Sequence, residues 1–367
     1  MEMTMIDFER IAKVLVERQL RVRPGEVVRV TGGPHNLEFV EEIALAVRKS
    51  GAFPMVEIGW ASLAKRMINE VPDEMLKLGA PHLIDIEKMV DCSISVAPID
   101  DPALLTGLDP EKSRLRAEAG MAVREAGVAK GARRIGIGFP TQAQARIYAI
   151  EFEDYHELFW SAVQADVDRI ADTCHRIRER LVARRDVEIV APGGCRLTFS
   201  IEKRRTNMDD GVISDEDLET GDITANLPFG EVYLAPIEES VEGEAIFPGV
   251  FHGGTRIEDL NLRFEGGRLT GSSARSNHKI FLDAMSKHTG DKDRLGEFGI
   301  GTNHEVHVPI GDNLLDEKIF GSIHLALGEN RSYGGINSSS LHWDMIMLRP
   351  TVTIDGELLI DEGRFSF

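Results

Sequence analysis

The sequence is short of cysteine. It has three in 367 residues, at Cys92, Cys174 and Cys195, with no close pairing and none beside the acidic clusters described below. That count excludes a disulfide framework and fits ordinary thiols in a reducing compartment. Long apolar runs are also missing. No stretch of about 18 apolar residues occurs, so no membrane-spanning helix and no membrane partner are expected. The start, Met1-Glu-Met-Thr-Met-Ile-Asp-Phe8, has neither a basic opening nor an apolar core. No leader is expected, which places the protein in the cytoplasm. Positive charge is in deficit: 42 Lys plus Arg face 61 acids, for a formal net charge of −19. Such a balance argues against nucleic acid as a partner. Its plain meaning is a solvated acidic surface, and it also favours substrates with a free amine. The glycine-rich loop Gly32-Gly-Pro-His-Asn36 lacks a full G-x-G-x-x-G or a Walker lysine, so it reads as a turn rather than a phosphate cradle. There is no internal repeat and no low-complexity stretch.

What remains is an ordinary globular composition, 42% hydrophobic and 28% charged, long enough for two domains. Asp7–Gln19 has helical periodicity. The β-rich run Val27–Thr31, a helix through about Lys49, and a second run, Met55–Ile58, follow in β–α–β order, which predicts a parallel α/β unit. Cys92–Val96 and Arg134–Gly138 are further strand candidates, separated by a charged helix around Pro110–Ala129. Glu151 to about Arg185 reads as one long helix. After Ala191-Pro-Gly-Gly194 the texture changes to short β-like runs at Arg196–Ile201, Glu231–Leu234, Leu260–Phe264 and Leu269–Gly271, with one helix at Asn277–Lys287. The fold expected is an α/β N-terminal domain with a parallel sheet over residues 1–190 and an α+β C-terminal domain over 191–367. The acidic run Asp215–Glu219 is expected to be a solvated loop.

The chemistry-bearing residues fall in the second half. In the strand candidate Ser340–Leu348, alternation puts His342, Asp344 and Ile346 on one face and Leu341, Trp343, Met345 and Met347 on the other. An apolar second face buries the strand, so His342 and Asp344 project from a fixed support, as a metal site requires. In Ser322–Gly328, His324 shares its face with Ala326 and Gly328, which leaves room around its ring. The acidic pair Asp316-Glu317 lies just upstream. Two Gly-Glu steps, Gly230-Glu231 and Gly296-Glu297, each open a β-like run. Oxygen and imidazole donors together suit Zn, Co, Mn or Fe(II) without cysteine. His304 and His307 are three apart and cannot share a strand face. His252 and His278 fall in a glycine-rich turn and a helix. None of these four is expected to be a ligand.

Taken in order, the segments Asn226–Pro236, Leu295–Asn303, Asp316–Gly328 and Leu341–Asp344 resemble the aminopeptidase T family of metallopeptidases, the thermophilic aminopeptidases. The likeness extends more loosely through Val22–Val28 and the helix after it, and so covers nearly the whole chain. The resemblance implies an enzyme that binds two divalent metal ions and removes N-terminal residues from peptides, working as a homodimer. It implies Glu231, Glu297, His324, His342 and Asp344 as metal ligands, and Glu317, seven positions before His324, as a sixth. Glu297 takes the bridging, catalytic position. The family's catalytic tyrosine is expected near Arg331, where this chain has Tyr333 instead, and that shift leaves open a hydrolase acting on a small non-peptide amine. The 2,5-dihydroxypyridine dioxygenases also resemble this fold, with a single Fe(II). They have a histidine in place of the glutamate at 297 and lack the histidine at 324. This chain keeps both Glu297 and His324, which favours the peptidase-type site.

Overall fold

The computed structural model describes residues 6–367; Met1–Met5, part of the start considered above, lie outside the described residues. The chain forms two compact units. Among the described residues, one comprises 6–146, 150–160 and 211–227, and the other 147–149, 161–210 and 228–367.

The first unit is built on a five-stranded sheet in the order Phe53–Ile58, Val27–Gly32, Cys92–Val96, Arg133–Ile137 and Thr224–Leu227. Every neighbouring pair is parallel. This is the expected α/β region. Its inner strands alternate buried and half-buried positions, with Val28, Val30, Cys92, Ile94 and Val96 inaccessible to solvent. Helix Leu37–Lys49 covers the sheet with Phe39, Val40, Ile43 and Val47, in which Ile43 lies three or four residues from each of the others, as one face of a helix demands. The fifth strand lies far from the others in sequence. Asp215–Thr220 is a short helix rather than the loop expected: Ser214 and Asp217 form a capping box that satisfies the free N–H groups of its first turn.

The stretch expected as one long helix is two, Phe152–Val163 and Val167–Leu181. Asp166 ends the continuity by accepting from the N–H groups of Asp168 and Arg169, capping the second helix. The charged helix around Pro110–Ala129 is likewise two, Pro110–Ala119 and Met121–Lys130, joined at Gly120.

The second unit holds two antiparallel sheets. An eight-stranded sheet runs from Arg268–Ser273 through Cys195–Ser200 and Asp186–Ala191 to Arg364–Phe365. A five-stranded sheet has the order His342–Met347, Ile323–Gly328, Leu295–Gly301, Glu231–Leu234 and Asn207–Asp209. One face of the smaller sheet is apolar, with Phe298, Ile300, Leu325, Leu327, Met345 and Met347 all buried. That face meets the larger sheet, where the Phe199 and Phe298 rings lie 5.3 Å apart. Among the described residues, no helix is long and apolar enough to cross a membrane. The three cysteines are free and buried.

Candidate metal centre

The other face of the five-stranded sheet carries the polar residues. Antiparallel register fixes who stands beside whom. Ala326 lies between Glu297 and Asp344, His324 lies between Gly299 and Ile346, Gly328 is opposite His342, and Gly301 is opposite Glu231. Opposed residues share a face. All five strand-borne candidates therefore project to the same side, over a floor of Ala326, Gly299, Gly301 and Gly328. The floor has to be small. A Cβ built on Gly299 would collide with the His324 ring, closer than any real side chain tolerates.

The ligand atoms converge. His324 Nε2 lies 3.2 Å from Glu297 Oε1 and 3.4 Å from Glu231 Oε2. His342 Nε2 lies 3.4 Å from Glu297 Oε2 and 3.4 Å from Asp344 Oδ1. The two oxygens of Glu297 thus face two different histidines. Three overlapping groups could each hold a cation: Glu231–Glu297–His324, Glu297–His342–Asp344 and Glu317–His324–Asp344, with donor atoms inside each group within 4.8 Å of one another. The structure therefore brings together all six residues that the sequence nominates as ligands.

The surroundings orient these donors. The Glu329 carbonyl lies 3.0 Å from His342 Nδ1 and can only accept, so Nδ1 carries a proton and Nε2 is the nitrogen turned toward the centre. Asn313 Nδ2 donates to Asp344 Oδ2 at 3.0 Å. Lys318 Nζ donates to Glu231 Oε1. Glu231 Oε2 and Asp344 Oδ1 are buried with no hydrogen-bond partner. Each faces a histidine Nε2 at 3.4 Å, and a buried carboxylate oxygen without a hydrogen bond is costly. A divalent cation offers what these two atoms lack, so the residues present fit the group. Asp316 is not among the donors. Its carboxylate accepts from the N–H groups of Ile310 and Gly311 at 2.8 Å each, pinning the loop that carries Glu317.

Charges follow from this crowding. Burial opposes a charged imidazole at His324, but the Glu297 hydrogen bond and the nearby Glu231 and Asp344 carboxylates outweigh it and raise its pKa to about 9. At His342, burial is likewise overcome by Asp344 and Glu297, giving about 10. Burial, partly offset by Lys318, pushes Glu317 well above the usual carboxylate range.

Tyr333 stands at the rim. Its hydroxyl donates to the Glu329 carbonyl at 3.0 Å and lies 3.3 Å from His342 Nδ1. Burial first, and the Glu297 carboxylate next, raise its pKa, so it stays a neutral phenol. Arg331, where the family tyrosine was expected, is exposed and paired with Glu329. His252, His278, His304 and His307 take part in none of the three groups.

The sequence reading missed Asn313, Lys318 and Asp209. Lys318 is fully buried and lies 3.7 Å from both Asp209 and Glu317, besides bonding Glu231. Its one signal was a lysine beside the apolar run Ile319-Phe320.

A sequence profile of the thermophilic metalloprotease family (M29) matches residues 5–364. Among solved structures, wild-type AmpT from Thermus thermophilus has a similar fold, with a TM-score of 0.78 at 23% identity over 98% of this chain and 99% of that one. The 2,5-dihydroxypyridine dioxygenase from Pseudomonas putida KT2440 is more distant, at TM-score 0.63 and 12% identity over 98% of this chain and 96% of that one. No curated protein sequence matches. With a family match over nearly its whole length and a convergent set of buried carboxylates and imidazoles, the chain belongs to the thermophilic metalloprotease family M29 and is a metal-dependent peptidase.

Proposed function

We propose that this peptidase removes N-terminal residues from peptides at a dinuclear centre held by Glu231, Glu297, Glu317, His324, His342 and Asp344. The observation that carries the reading is Glu297, whose two oxygens each face a different histidine in two groups of donors that share only this carboxylate. A side chain so placed is suited to bridge two ions. Two divalent ions bound there would polarise a peptide carbonyl and lower the pKa of a shared water. His342 stands on the solvent side, keeping 37% of its side chain exposed, whereas His324 is inaccessible. Substrate therefore meets the His342 side first. The carboxylates there attract a free α-amine, which favours an exopeptidase. Tyr333, kept protonated beside His342 and Glu297, would donate a proton to the leaving amine.

The donor chemistry supports Zn²⁺, Co²⁺ or Mn²⁺. A homodimer working in the cytoplasm on peptides belongs to the same proposal; three free, buried thiols accord with a reducing compartment. A single-iron, ring-cleaving reaction has less support, because Glu297 and His324 are both present and in contact.

The test is release of N-terminal residues from short peptides after metal-free protein is reloaded with Co²⁺ or Zn²⁺. Glu297→Gln keeps the size but removes the bridging charge, and His342→Ala removes a ligand. Both are expected to lose activity together with bound metal. Equal rates on free and blocked N-termini would refute amine recognition. Inactivity on all peptides with both ions bound would shift the reading to a small non-peptide amine.

A further inference from the structure

One segment, Asp312–Lys318, reaches both ends of the centre. Asn313 holds one oxygen of Asp344 and Lys318 holds one oxygen of Glu231, and in each case the other oxygen has no hydrogen bond and faces a histidine Nε2 at 3.4 Å. The two supports differ in charge. Around His342 and Asp344 they are neutral: the Asn313 amide, the Glu329 carbonyl and the Tyr333 phenol. Behind Glu231 and His324 stands an ammonium that solvent cannot reach. Charges buried in this way are screened far less than those at the surface. A cation on Glu231 and His324 would sit one carboxylate away from Lys318. Asp209 and Glu317 offset part of that charge from 3.7 Å, but only Glu231 is directly hydrogen-bonded to it. The bond also occupies Oε1, so Glu231 can offer a single oxygen. Asn313 likewise occupies one oxygen of Asp344, but it is neutral, so at Glu297, His342 and Asp344 no hydrogen-bonded ammonium opposes a cation.

We propose that Lys318 makes the two metal positions unequal: the Glu231–Glu297–His324 position is the weaker, exchangeable one, and the Glu297–His342–Asp344 position is the tighter. This rests on the two-metal reading above. Lys318 acts through Glu231 and touches no substrate, so it is a positioning residue, and its effect is read in metal affinity.

The experiment equilibrates metal-free protein in buffers of graded free Zn²⁺ and counts zinc per chain. Wild-type protein is expected to load in two steps at least tenfold apart in free zinc. Asp344→Asn should abolish the tighter step and Glu231→Gln the weaker one. Lys318→Met removes the charge and frees Oε1, and should narrow the gap at least fivefold by tightening the weaker step. Coincident steps in wild-type protein, or an unchanged gap in Lys318→Met, would overturn the proposal. Should Lys318→Met fail to fold, the ligand variants still decide, because loss of the tighter step in Glu231→Gln overturns it equally. Saturation at a single zinc per chain would refute the two-metal reading itself, and the proposal with it.

Discussion

Gly299 offers the sharpest test of how the sheet builds the centre. It stands mid-strand, in register with His324 on one side and Tyr233 on the other. Its φ is not positive, so alanine suits the backbone and only space is at issue. Gly299→Ala would drive a methyl group into the His324 ring, which has no accessible surface. Restoring a normal contact distance requires the ring to move by roughly 1 Å or more. Overpacking of this kind costs about 1–3 kcal/mol. Replacing glycine in a strand returns about 0.5–1 kcal/mol. The net loss of stability is therefore about 0–2.5 kcal/mol, small enough for the protein to fold. Metal–ligand distances tolerate only about 0.2 Å, so the same shift removes His324 as a ligand. Metal affinity is expected to fall about a hundredfold, the upper end of what disturbing a ligand's support costs. Zinc uptake from buffered solutions, paired with urea unfolding, separates the two effects. Gly271→Ala, in a strand where the nearest atom to the new Cβ is 3.9 Å away, is the control and should alter neither. Zinc affinity within threefold of wild type in Gly299→Ala would refute the argument that the bare floor exists to seat His324.

The remaining predictions concern charge and the loop at the rim. His324 and His342 have pKa values raised to about 9 and about 10 in the metal-free fold, against about 6.5 when unfolded. Their contribution to stability is full below pH ~6.5 and is lost as pH rises through 9 to 10. The urea midpoint of metal-free protein should therefore fall between pH 7 and 10. Zinc affinity should rise over the same interval, because metal must displace those protons; a flat affinity from pH 7 to 10 would contradict the charged-histidine account. Glu238 is buried, pairs with Arg204, and accepts from Asn330 Nδ2 at 3.1 Å and Ile336 N at 2.8 Å, bracing the loop that carries Tyr333. Glu238→Gln leaves Arg204 without its buried counter-charge and should cost about 3–5 kcal/mol in urea unfolding; a loss under 1 kcal/mol would mean the pair contributes no more than a surface one.

The period-two pattern of Ser322–Gly328 and Ser340–Leu348 was enough to place His324, His342 and Asp344 on shared faces, because a strand's alternation is a property of its own backbone. The β–α–β order of the first hundred residues likewise announced a parallel sheet. Local chemistry also explains two misreadings. Asp166 and Ser214 are capping residues whose effect on helix boundaries is visible in retrospect from the residues they cap, yet hydrophobic periodicity alone passes over them. What lay beyond the local pattern was register. That Ala326 lies between Glu297 and Asp344, and that Gly301 meets Glu231, depends on hydrogen bonds between strands far apart in sequence. Tyr333 and Arg331 differ by two positions in sequence, but only the turn after Asn330 turns one toward His342 and the other to solvent. Lys318 shows the limit most plainly. A lysine beside Glu317 reads as a surface charge, and it becomes a buried counter-ion only because the fold draws Glu231, Asp209 and Glu317 around it, since a buried ammonium is stable only where opposing charges are assembled in three dimensions.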